Sequence, residues 1–293
     1  MRKINIGQML LLMILTILAL VSVIPIALVL IASFSSEASI TSKGFSFFPS
    51  SWSLTGWIYV LGYGKQLLTS YGVTILRTVV GVALSLIMMS MIAYALSRKQ
   101  FIMRNFLTGM LLATMLFEGG QLSNYVVNTQ MYHLKDTWVV LMLPAISTMH
   151  IIILRTYIQS NITDSLIESA KIDGAGEFRT YIQIVMPLLK PALAAVGFML
   201  ANGYWNEWYN AYMYITSPEK MPLQLLLIRI EKTIELLANP ELPDFMASDL
   251  AESLPKESAR MAMLFTVLGP IMIAYPFFQK YFVKGLTVGA VKG

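Results

Sequence analysis

The sequence contains no cysteine and few charged residues. Without cysteine the chain can form no disulfide, and it can offer neither a thiolate nucleophile nor a cysteine-bound metal. Charged residues make up 13% of the 293 residues and hydrophobic residues 56%, whereas soluble domains carry about 25% charge. Several apolar runs exceed about 18 residues, a length that crosses a bilayer as a helix. We therefore expect an all-α polytopic membrane protein.

Motifs for enzymatic chemistry are also missing. The Gly64-Lys65 pair lacks the upstream glycine of a Gly-x-x-x-x-Gly-Lys-Ser/Thr phosphate loop. Neither His133 nor His150 stands in a His-Glu-x-x-His motif, and no serine is framed as in Gly-x-Ser-x-Gly. No redox cofactor motif is present. The sequence predicts a conduit rather than an enzyme, with no cofactor and no metal site in this chain.

The apolar segments predict six transmembrane helices, which places both ends of the chain on one side. The predicted spans cover approximately residues 9–34, 70–96, 105–125, 137–158, 191–215 and 261–282. The side with both ends then carries 12 Lys and Arg residues against 4 acidic ones, and the other side 8 against 11. Because Lys and Arg accumulate in cytoplasmic loops, we expect both termini and loop 159–190 in the cytoplasm and loop 217–260 outside. The net charge of +5 thus indicates membrane orientation and no nucleic-acid partner.

A charged segment interrupts the apolar sequence between the fourth and fifth predicted spans. Its charged side chains are Asp164, Glu168, Lys171, Asp173, Glu177 and Arg179. A charged helix between two spans has to lie in water or against another protein, because burying charges in lipid is costly. The sequence suggests no partner for these charges within the chain, so the segment is predicted to be a docking site.

The fifth predicted span is unusually polar and aromatic. Its core consists of Tyr204, Trp205, Asn206, Glu207, Tyr209 and Asn210. On a continuous helix, one face would be shared by Asn202, Asn206, Tyr209, Asn210 and Met213. Aromatic rings beside amides suit sugars, whose C–H faces stack and whose hydroxyls need donors and acceptors. Interhelical hydrogen bonds with an interfacial aromatic belt explain the same residues, so both interpretations stay open.

Arg77 stands in the second predicted span, near its outer end. An arginine there can extend to the external interface, or it can face a water-filled cavity and meet an anionic ligand. In the third span, Gly119-Gly120 predicts a break in the helix, because adjacent glycines are unfavourable in helices.

The predicted external loop contains an amphipathic pattern. Apolar residues repeat at helical spacing at Leu223, Leu226, Leu227, Ile230, Ile234 and Leu237. This pattern predicts a helix on the membrane surface or against a partner. The acidic, proline-containing stretch 239–255 that follows is predicted to contact a partner or ligand, with a passive linker as the alternative.

The charged segment carries a spaced motif. Glu168-Ser169-Ala170 is followed after three residues by Gly174 and after nine more by Ile184-Val185-Met186-Pro187. This resembles the cytoplasmic signature of the permease subunits of ATP-binding-cassette (ABC) importers that work with a substrate-binding protein. Their signature reads Glu-Ala-Ala, three residues, Gly, nine residues, then Ile-x-Leu-Pro. Ser169 in place of Ala and Met186 in place of Leu are mild departures from it.

Further stretches resemble the carbohydrate branch of that superfamily, the second permease type of maltose-like systems. They are Asp173-Gly174-Ala175, Trp205-Asn206-Glu207 and the C-terminal stretch 284–293. Other stretches are similar to the subgroup for complex oligosaccharides, among them Ser70-Tyr71-Gly72, Arg77-Thr78, Leu143-Pro144 and 275–282. That subgroup includes importers of uronic-acid polymers, and the second permease of an alginate importer is the specific expectation. The resemblance covers essentially the whole chain.

The resemblance implies a type I ABC importer permease fold, formed by a single permease domain over residues 1–293 with a cytoplasmic coupling helix. Residues 165–178 would be that helix, seated in a cleft of the ATPase. Glu168 would pair with a basic residue there, and Gly174 would permit a sharp turn because glycine tolerates positive φ. The implied coupling site comprises Glu168, Ser169, Ala170, Asp173, Gly174 and Pro187.

The resemblance also implies partners and a mechanism. The partners would be a second homologous permease, two cytoplasmic ATPase subunits that bind ATP and Mg²⁺, and an external or periplasmic sugar-binding protein. The assembly would lie in a bacterial cytoplasmic (inner) membrane and import oligosaccharide by alternating access. The substrate path would run along Tyr204 to Asn210, with Arg77. Loop 217–260 would contact the binding protein, and the tail 284–293 the ATPases.

Two other functions compete with this interpretation. A stand-alone secondary transporter or channel would need ionisable residues within the membrane for ion coupling, and the sequence offers only Arg77 and Glu207 as candidates for that role. An intramembrane enzyme would need a nucleophile or a metal motif, and the sequence has none of those considered above.

Overall fold

The regular secondary structure of the chain is helical wherever it is described. The computed structural model describes residues 6–117, 119–237 and 255–290. The first helices are α1 (Ile6–Ser33), α2 (Glu37–Lys43), α3 (Thr55–Leu61), α4 (Gly64–Ser97), α5 (Arg104–Leu116) and α6 (Gly120–Val126), followed by the π-helical turn π1 (Val127–Met131). Next come α7 (Trp138–Met142), α8 (Thr148–Asn161), α9 (Asp164–Ile172), α10 (Glu177–Thr180) and the π-helical turn π2 (Tyr181–Val185). The last are α11 (Met186–Asn206), α12 (Tyr209–Tyr214), a 3₁₀ turn (Pro218–Lys220), α13 (Leu223–Leu237) and α14 (Lys256–Ala290).

Four helices among the described residues are long and apolar enough to cross a membrane. They are Ile6–Ser33, Gly64–Ser97, Glu177–Asn206 and Lys256–Pro276. These correspond to the first, second, fifth and sixth predicted spans, so the protein is a multi-pass membrane protein. The third and fourth predicted spans are interrupted helices, and the count of six spans stays a prediction.

The interruption of the third predicted span lies where the glycine pair predicted it. Helix α5 ends at Leu116 and α6 begins at Gly120. Gly120 has φ +76°, a left-handed conformation that glycine adopts without the steric cost of a Cβ. The predicted break is confirmed.

The fourth predicted span is not one helix, contrary to the expectation of a continuous span over 137–158. Helix α7 ends at Met142 and α8 starts at Thr148. Leu143 adopts φ −54° and ψ 133°, because the ring of Pro144 disfavours helical geometry in the residue before it. Sequence reasoning took Leu143-Pro144 only as a point of family resemblance and missed this break.

The fifth predicted span is interrupted as well. Helix α11 ends at Asn206, and Glu207 has φ −71° and ψ 116° before α12 begins at Tyr209. The expectation that residues 202, 206, 209, 210 and 213 share one helical face is therefore wrong, since it assumed a continuous helix. At the other end of α11, π2 stands just before Pro187, whose ring would clash with the carbonyl of Gln183 in a regular helix. A wider turn relieves that clash.

The chain divides into two compact units, with boundaries at residues 67/68, 225/226 and 270/271. The second unit, residues 68–225 and 271–293, has a core drawn from α4, α8, α9, π2 and α11. Fully buried side chains of that core include Met89, Leu96, Ile151, Leu154, Ile158, Ile167, Val185 and Leu189. This core holds the charged segment and the C-terminal part of α4 in fixed positions relative to each other.

The first unit, residues 1–67 and 226–270, explains the amphipathic helix α13. Within it Leu226, Leu227, Ile230 and Ile234 are buried. The helix is confirmed, but its apolar face packs inside the chain itself, so the expected contact with the membrane surface or a partner is wrong for that face. Residues 239–254 of the following acidic stretch lie outside the described residues.

The side chain of Glu37 caps the last long helix, also within the first unit. Its carboxylate accepts hydrogen bonds from the backbone N–H groups of Glu257 (2.9 Å) and Ser258 (3.2 Å) and from the Ser258 hydroxyl (3.1 Å). These groups belong to the first turn of α14, where orphan N–H groups and the helix dipole favour a negative charge.

Replacing Glu37 with alanine is expected to destabilise the full chain by about 1 to 2 kcal/mol, the usual cost of losing an N-terminal cap. The measurement is the thermal unfolding midpoint of the purified chain in detergent. Glu219→Ala is the matched control, because Glu219 is exposed and its side chain forms no ion pair or hydrogen bond with a described residue. Equal midpoints for the two variants would contradict the capping role.

Candidate functional site

Arg77 and Glu207 form an ion pair inside the second unit. The Arg77 Nη2 lies 2.9 Å from the Glu207 Oε2, and Arg77 is only 1% exposed. The same nitrogen donates to the backbone carbonyls of Tyr204 (2.7 Å) and Glu207 (2.8 Å). The expectation that Arg77 extends to the external interface is therefore wrong. The two residues are 130 positions apart, and sequence reasoning treated them separately.

The ion pair accounts for the interruption between α11 and α12. A helix that stops within a membrane leaves its last carbonyls without donors, and a basic side chain can supply them. Arg77 does so at the end of α11, while the Glu207 Oε1 accepts the backbone N–H of Asn210 (2.5 Å) in the first turn of α12. Glu207 thus joins the two helix ends and is held in place by Arg77.

Tyr204 likewise supplies hydrogen bonds to the backbone at the interruption between α7 and α8. Its hydroxyl donates to the Leu143 carbonyl (2.6 Å) and accepts the N–H of Ala145 (2.9 Å). The Ser85 hydroxyl also accepts the Ala145 N–H (2.8 Å). Irregular backbone within a membrane protein has to be satisfied by neighbouring groups, and these side chains do that.

Gly81 makes room for the Tyr204 ring. A Cβ placed on Gly81 would lie 2.5 Å from two ring carbons of Tyr204, well inside van der Waals contact. The glycine therefore lets α4 approach α11 closely. The three residues Gly81, Ser85 and Tyr204 form one packed contact between the two helices.

A polar cavity of about 450 Å³ lies beside this network, entirely within the second unit. Its polar lining residues are Arg77, Gln121, Asn124, Asn128, His150, Tyr204, Glu207, Asn210 and Tyr214. Its apolar lining includes Val140, Leu141, Leu143 and Met199. The volume falls within the 300 to 1,000 Å³ that is common for ligand sites.

Three amides of the cavity were missed by sequence reasoning. Gln121, Asn124 and Asn128 lie at positions i, i+3 and i+7 of the continuous run α6 and π1, and all three line the cavity. Such spacing puts side chains on one helical face. The spacing was visible in the sequence, but sequence reasoning took the glycine pair only as a break in the third span and did not single out the amides that follow it.

The predicted substrate-path residues divide into two groups. Arg77, Tyr204, Glu207 and Asn210 line the cavity. The lining does not include Trp205, Asn206 and Tyr209. The Asn206 amide instead donates to the Asn202 carbonyl (3.0 Å) and accepts from Gln224 (3.1 Å), and the Tyr209 ring packs edge-on against Trp208.

A clamp at Asp136 joins the chain before α7 to the chain after α12. The Asp136 carboxylate accepts hydrogen bonds from the Ser217 hydroxyl and from the N–H groups of Ser217 (3.0 Å) and Thr216 (3.1 Å), and Lys220 lies close by. The Ser217 hydroxyl and N–H, above all, hold the pKa of the Asp136 carboxyl well below its usual range. Because the charged form accepts these bonds, the clamp is ionised at physiological pH.

The charged segment forms the predicted short helix and turn. Helix α9 is followed by Gly174 at φ +79° and then by α10, so the turn expected at Gly174 is confirmed. Ile167 and Ala170 are buried against the core of the second unit. Ser169 is exposed, and its hydroxyl bonds the carbonyl of Ser165 four residues earlier (2.9 Å). Pro187 is exposed at the start of α11.

The charges of this segment are not all free, contrary to the expectation that they have no partner in the chain. Asp164 pairs with Arg98 (3.2 Å), and Glu177 pairs with Lys171 (2.5 Å) and accepts from the Tyr94 hydroxyl (2.6 Å). These contacts attach both ends of the segment to the end of α4. Among the carboxylates of this segment, those of Glu168 and Asp173 form no ion pair or hydrogen bond with a described residue.

Large apolar side chains of the same segment are exposed as well. Ile172 is 86% exposed and Phe178 66% exposed, and Leu166 is exposed as well. Large apolar side chains that are exposed on a charged segment are typical of protein–protein contacts. The segment therefore combines a fixed backbone with an uncovered apolar and acidic surface.

A membrane protein whose interrupted spans hold a polar cavity, and which carries such a surface between two spans, has the build of a membrane transport permease. The chain belongs to the family described as "Binding-protein-dependent transport system inner membrane component", whose model matches residues 73–288. It is therefore a permease component of a binding-protein-dependent ABC transport system.

Individual relatives resemble the chain over nearly its full length. It is 34% identical to the polygalacturonan/rhamnogalacturonan transport system permease protein YtcP of Bacillus subtilis. The match extends over 278 residues and covers 94% of each chain. It is 28% identical to the arabinooligosaccharides transport system permease protein AraQ of Halalkalibacterium halodurans, over 94% of this chain and 93% of that one. It also superposes with a TM-score of 0.78 and 33% identity on a chain from the crystal structure of a bacterial ABC transporter involved in the import of the acidic polysaccharide alginate, covering 96% and 98% of the two chains. This similarity confirms the expected type I ABC importer permease fold.

Proposed function

We propose that this chain is one of two homologous permeases of an ATP-driven importer for acidic oligosaccharides. The relatives named above support the substrate class, since polygalacturonan and alginate are the substrates in two of their descriptions. In the proposed assembly two cytoplasmic ATPase subunits bind ATP and Mg²⁺, and an external or periplasmic binding protein delivers the sugar. The permease itself carries out no chemistry on the sugar.

The observation that carries this proposal is the surface of the segment from α9 to Pro187. Glu168 and Asp173 are exposed without a contact to a described residue, next to the exposed Ile172 and Phe178. We infer that this surface docks on the ATPase, and that Glu168 pairs with a basic residue there. Ala170 anchors the helix from its buried side, and Gly174 sets the turn.

The ion pairs of the segment indicate how movement would pass onward. Arg98 and Tyr94 tie the segment to the end of α4, and the same helix carries Arg77 at the cavity. A displacement of the docked segment would therefore move α4 as a rigid body and change the cavity wall. This is the proposed link between ATP hydrolysis and alternating access.

The proposed orientation places both termini and loop 159–190 in the cytoplasm of a bacterium, since most Lys and Arg residues lie on that side. The external loop 217–260 would then face the binding protein. Residues 238–254 of that loop, and residues 291–293 of the tail proposed to touch the ATPases, lie outside the described residues.

The alternative of a stand-alone secondary transporter is disfavoured by the ion pair. Ion coupling needs an ionisable group that can exchange its partner during the cycle. Arg77 and Glu207 neutralise each other and hold helix ends together, so neither is free for that role.

The docking proposal is tested by separate Glu168→Ala and Gly174→Val replacements in the complete importer in liposomes. Each is expected to lower the ATPase stimulation by loaded binding protein about tenfold or more. Loss of a charged pair at an interface costs at least about 1.5 kcal/mol, and a β-branched residue at positive φ costs roughly 1 to 2 kcal/mol.

Matched controls exist for both replacements. Gly176→Val lies two residues away at φ −70° with open space around it, and Glu219→Ala removes an exposed carboxylate elsewhere. Both controls are expected to keep normal stimulation. Normal stimulated ATPase and uptake in the Glu168 and Gly174 variants would refute the docking surface.

A further inference from the structure

We propose that Gln121, Asn124 and Asn128 form a saccharide-binding face within this chain, which recognises the hydroxyl groups of a pyranose unit. The proposal rests on the proposed function, because it takes the transported ligand to be a sugar. It assigns recognition to the α6 and π1 run, whereas the sequence pointed to residues 204–210 and to Arg77.

The first step is the placement of the three amides. They stand on one face of the run and line the same cavity. Asn128 donates to the Tyr214 hydroxyl (3.1 Å), which leaves its carbonyl oxygen available. The side chains of Gln121 and Asn124 make no hydrogen bond that reaches another described residue, although they lie in a cavity of a membrane protein.

The second step is their chemistry. A side-chain amide offers two N–H donors and a carbonyl acceptor, and a sugar hydroxyl both donates and accepts. Amides in a row can therefore satisfy adjacent hydroxyls of one ring. The lining of the same cavity also includes the apolar residues Val140, Leu141 and Met199, against which the C–H groups of a sugar can pack.

The third step is the state of the neighbouring charges. Glu207 is already engaged by Arg77 and by the Asn210 N–H. The Nε and Nη1 groups of Arg77 are buried and have no hydrogen-bond partner among the described residues, and Arg77 lines the cavity. A buried donor without an acceptor is costly, so a ligand oxygen at this wall would be bound favourably. The cavity thus offers surplus donors to an oxygen-rich ligand.

The experiment measures sugar uptake per ATP hydrolysed by the complete importer in proteoliposomes. The probes are an alginate oligosaccharide and a neutral arabinooligosaccharide. Asn124→Leu and Gln121→Leu are each expected to lower this ratio roughly tenfold, because a sugar hydroxyl loses its partner. Gln130→Leu is the matched control, since Gln130 is an exposed amide on π1 that does not line the cavity, and it should keep the wild-type ratio.

A conservative variant distinguishes the loss of the amide group from an effect on folding. Asn124→Gln keeps the amide and is expected to recover most of the ratio that Asn124→Leu loses. Equal ratios for Asn124→Leu and Gln130→Leu would overturn the inference. A proportional fall of uptake and ATPase activity, with an unchanged ratio, would also overturn it, because the residue would then have only a structural role.

Failure of the proposed function gives a different result. If the wild-type importer takes up neither probe although the loaded binding protein stimulates its ATPase, the sugar assignment itself is overturned. If the wild type takes up only one of the two probes, the variants are compared with that probe, and uptake of the neutral sugar alone contradicts the acidic substrate class of the proposed function.

Discussion

Replacing Arg77 with leucine is expected to lower the thermal unfolding midpoint of the full chain by on the order of 10 °C. The replacement leaves the Glu207 carboxylate without its counter-ion and removes the donor from two backbone carbonyls at the end of α11. Breaking a buried pair from one side costs about 3 to 5 kcal/mol. Glu207 retains 28% side-chain exposure, so the expected loss is at the low end of that range.

The measurement is the unfolding midpoint of the purified chain in detergent, where each kcal/mol corresponds to roughly 2 to 4 °C for a chain of about this size. The control is Arg98→Leu directly after the end of the same helix, because its partner Asp164 is 57% exposed and surface pairs contribute about 1 kcal/mol or less.

A double replacement separates the pair from the packing around it. Arg77→Leu with Glu207→Leu removes both charges, and it is expected to be less destabilised than Arg77→Leu alone. If the Arg77 and Arg98 variants had equal midpoints, the ion pair would not be the element that holds α11 and α12 together.

Gly81→Ala is expected to lower the thermal unfolding midpoint of the full chain almost as much as Arg77→Leu does. The new methyl group would lie 2.5 Å from the Tyr204 ring, and the ring cannot move aside without releasing the Leu143 carbonyl and the Ala145 N–H. Overpacking costs about 1 to 3 kcal/mol, and each hydrogen bond that is lost adds about 0.5 to 1.5 kcal/mol. The Ser85 hydroxyl still accepts from Ala145, so we expect a total near 3 kcal/mol, or roughly 10 °C.

The control for this replacement stands on the same helix. A Cβ on Gly72 meets no atom within 4 Å, so Gly72→Ala is expected to stabilise α4 by up to about 1 kcal/mol through helix propensity. The readout is again the unfolding midpoint in detergent. A Gly81 variant that behaved like the Gly72 variant would contradict the close contact between α4 and Tyr204.

Local features of the fold could be predicted from the sequence because local causes decide them. Apolar length identified α1, α4 and the run that ends at Asn206. The glycine pair marked the end of α5, and Gly174 marked the turn after α9. The spacing of leucines and isoleucines gave α13, because helical periodicity is visible without knowledge of the partner surface.

Long-range pairing could not be predicted in the same way. Nothing near Glu207 in the sequence indicates that Arg77 is its partner, or that a helix would end between Asn206 and Tyr209. The Leu143-Pro144 break was readable in principle, but its stability depends on Tyr204, which lies about 60 positions away. The amide face on α6 and π1 is the opposite case. Its spacing is local and can be read in the sequence, but sequence reasoning overlooked it.

The hydrogen bonds of Tyr204 have a consequence for specificity. Both of its partners across the α7 and α8 break are main-chain atoms, those of Leu143 and Ala145, and the side chains of these two residues line the cavity. A hydrogen bond to a main-chain atom does not depend on which side chain the same residue carries. Positions 143 and 145 are therefore open to variation, by natural drift or in an engineered library, and the range of cargo can be altered there without loosening the helix break that shapes the cavity.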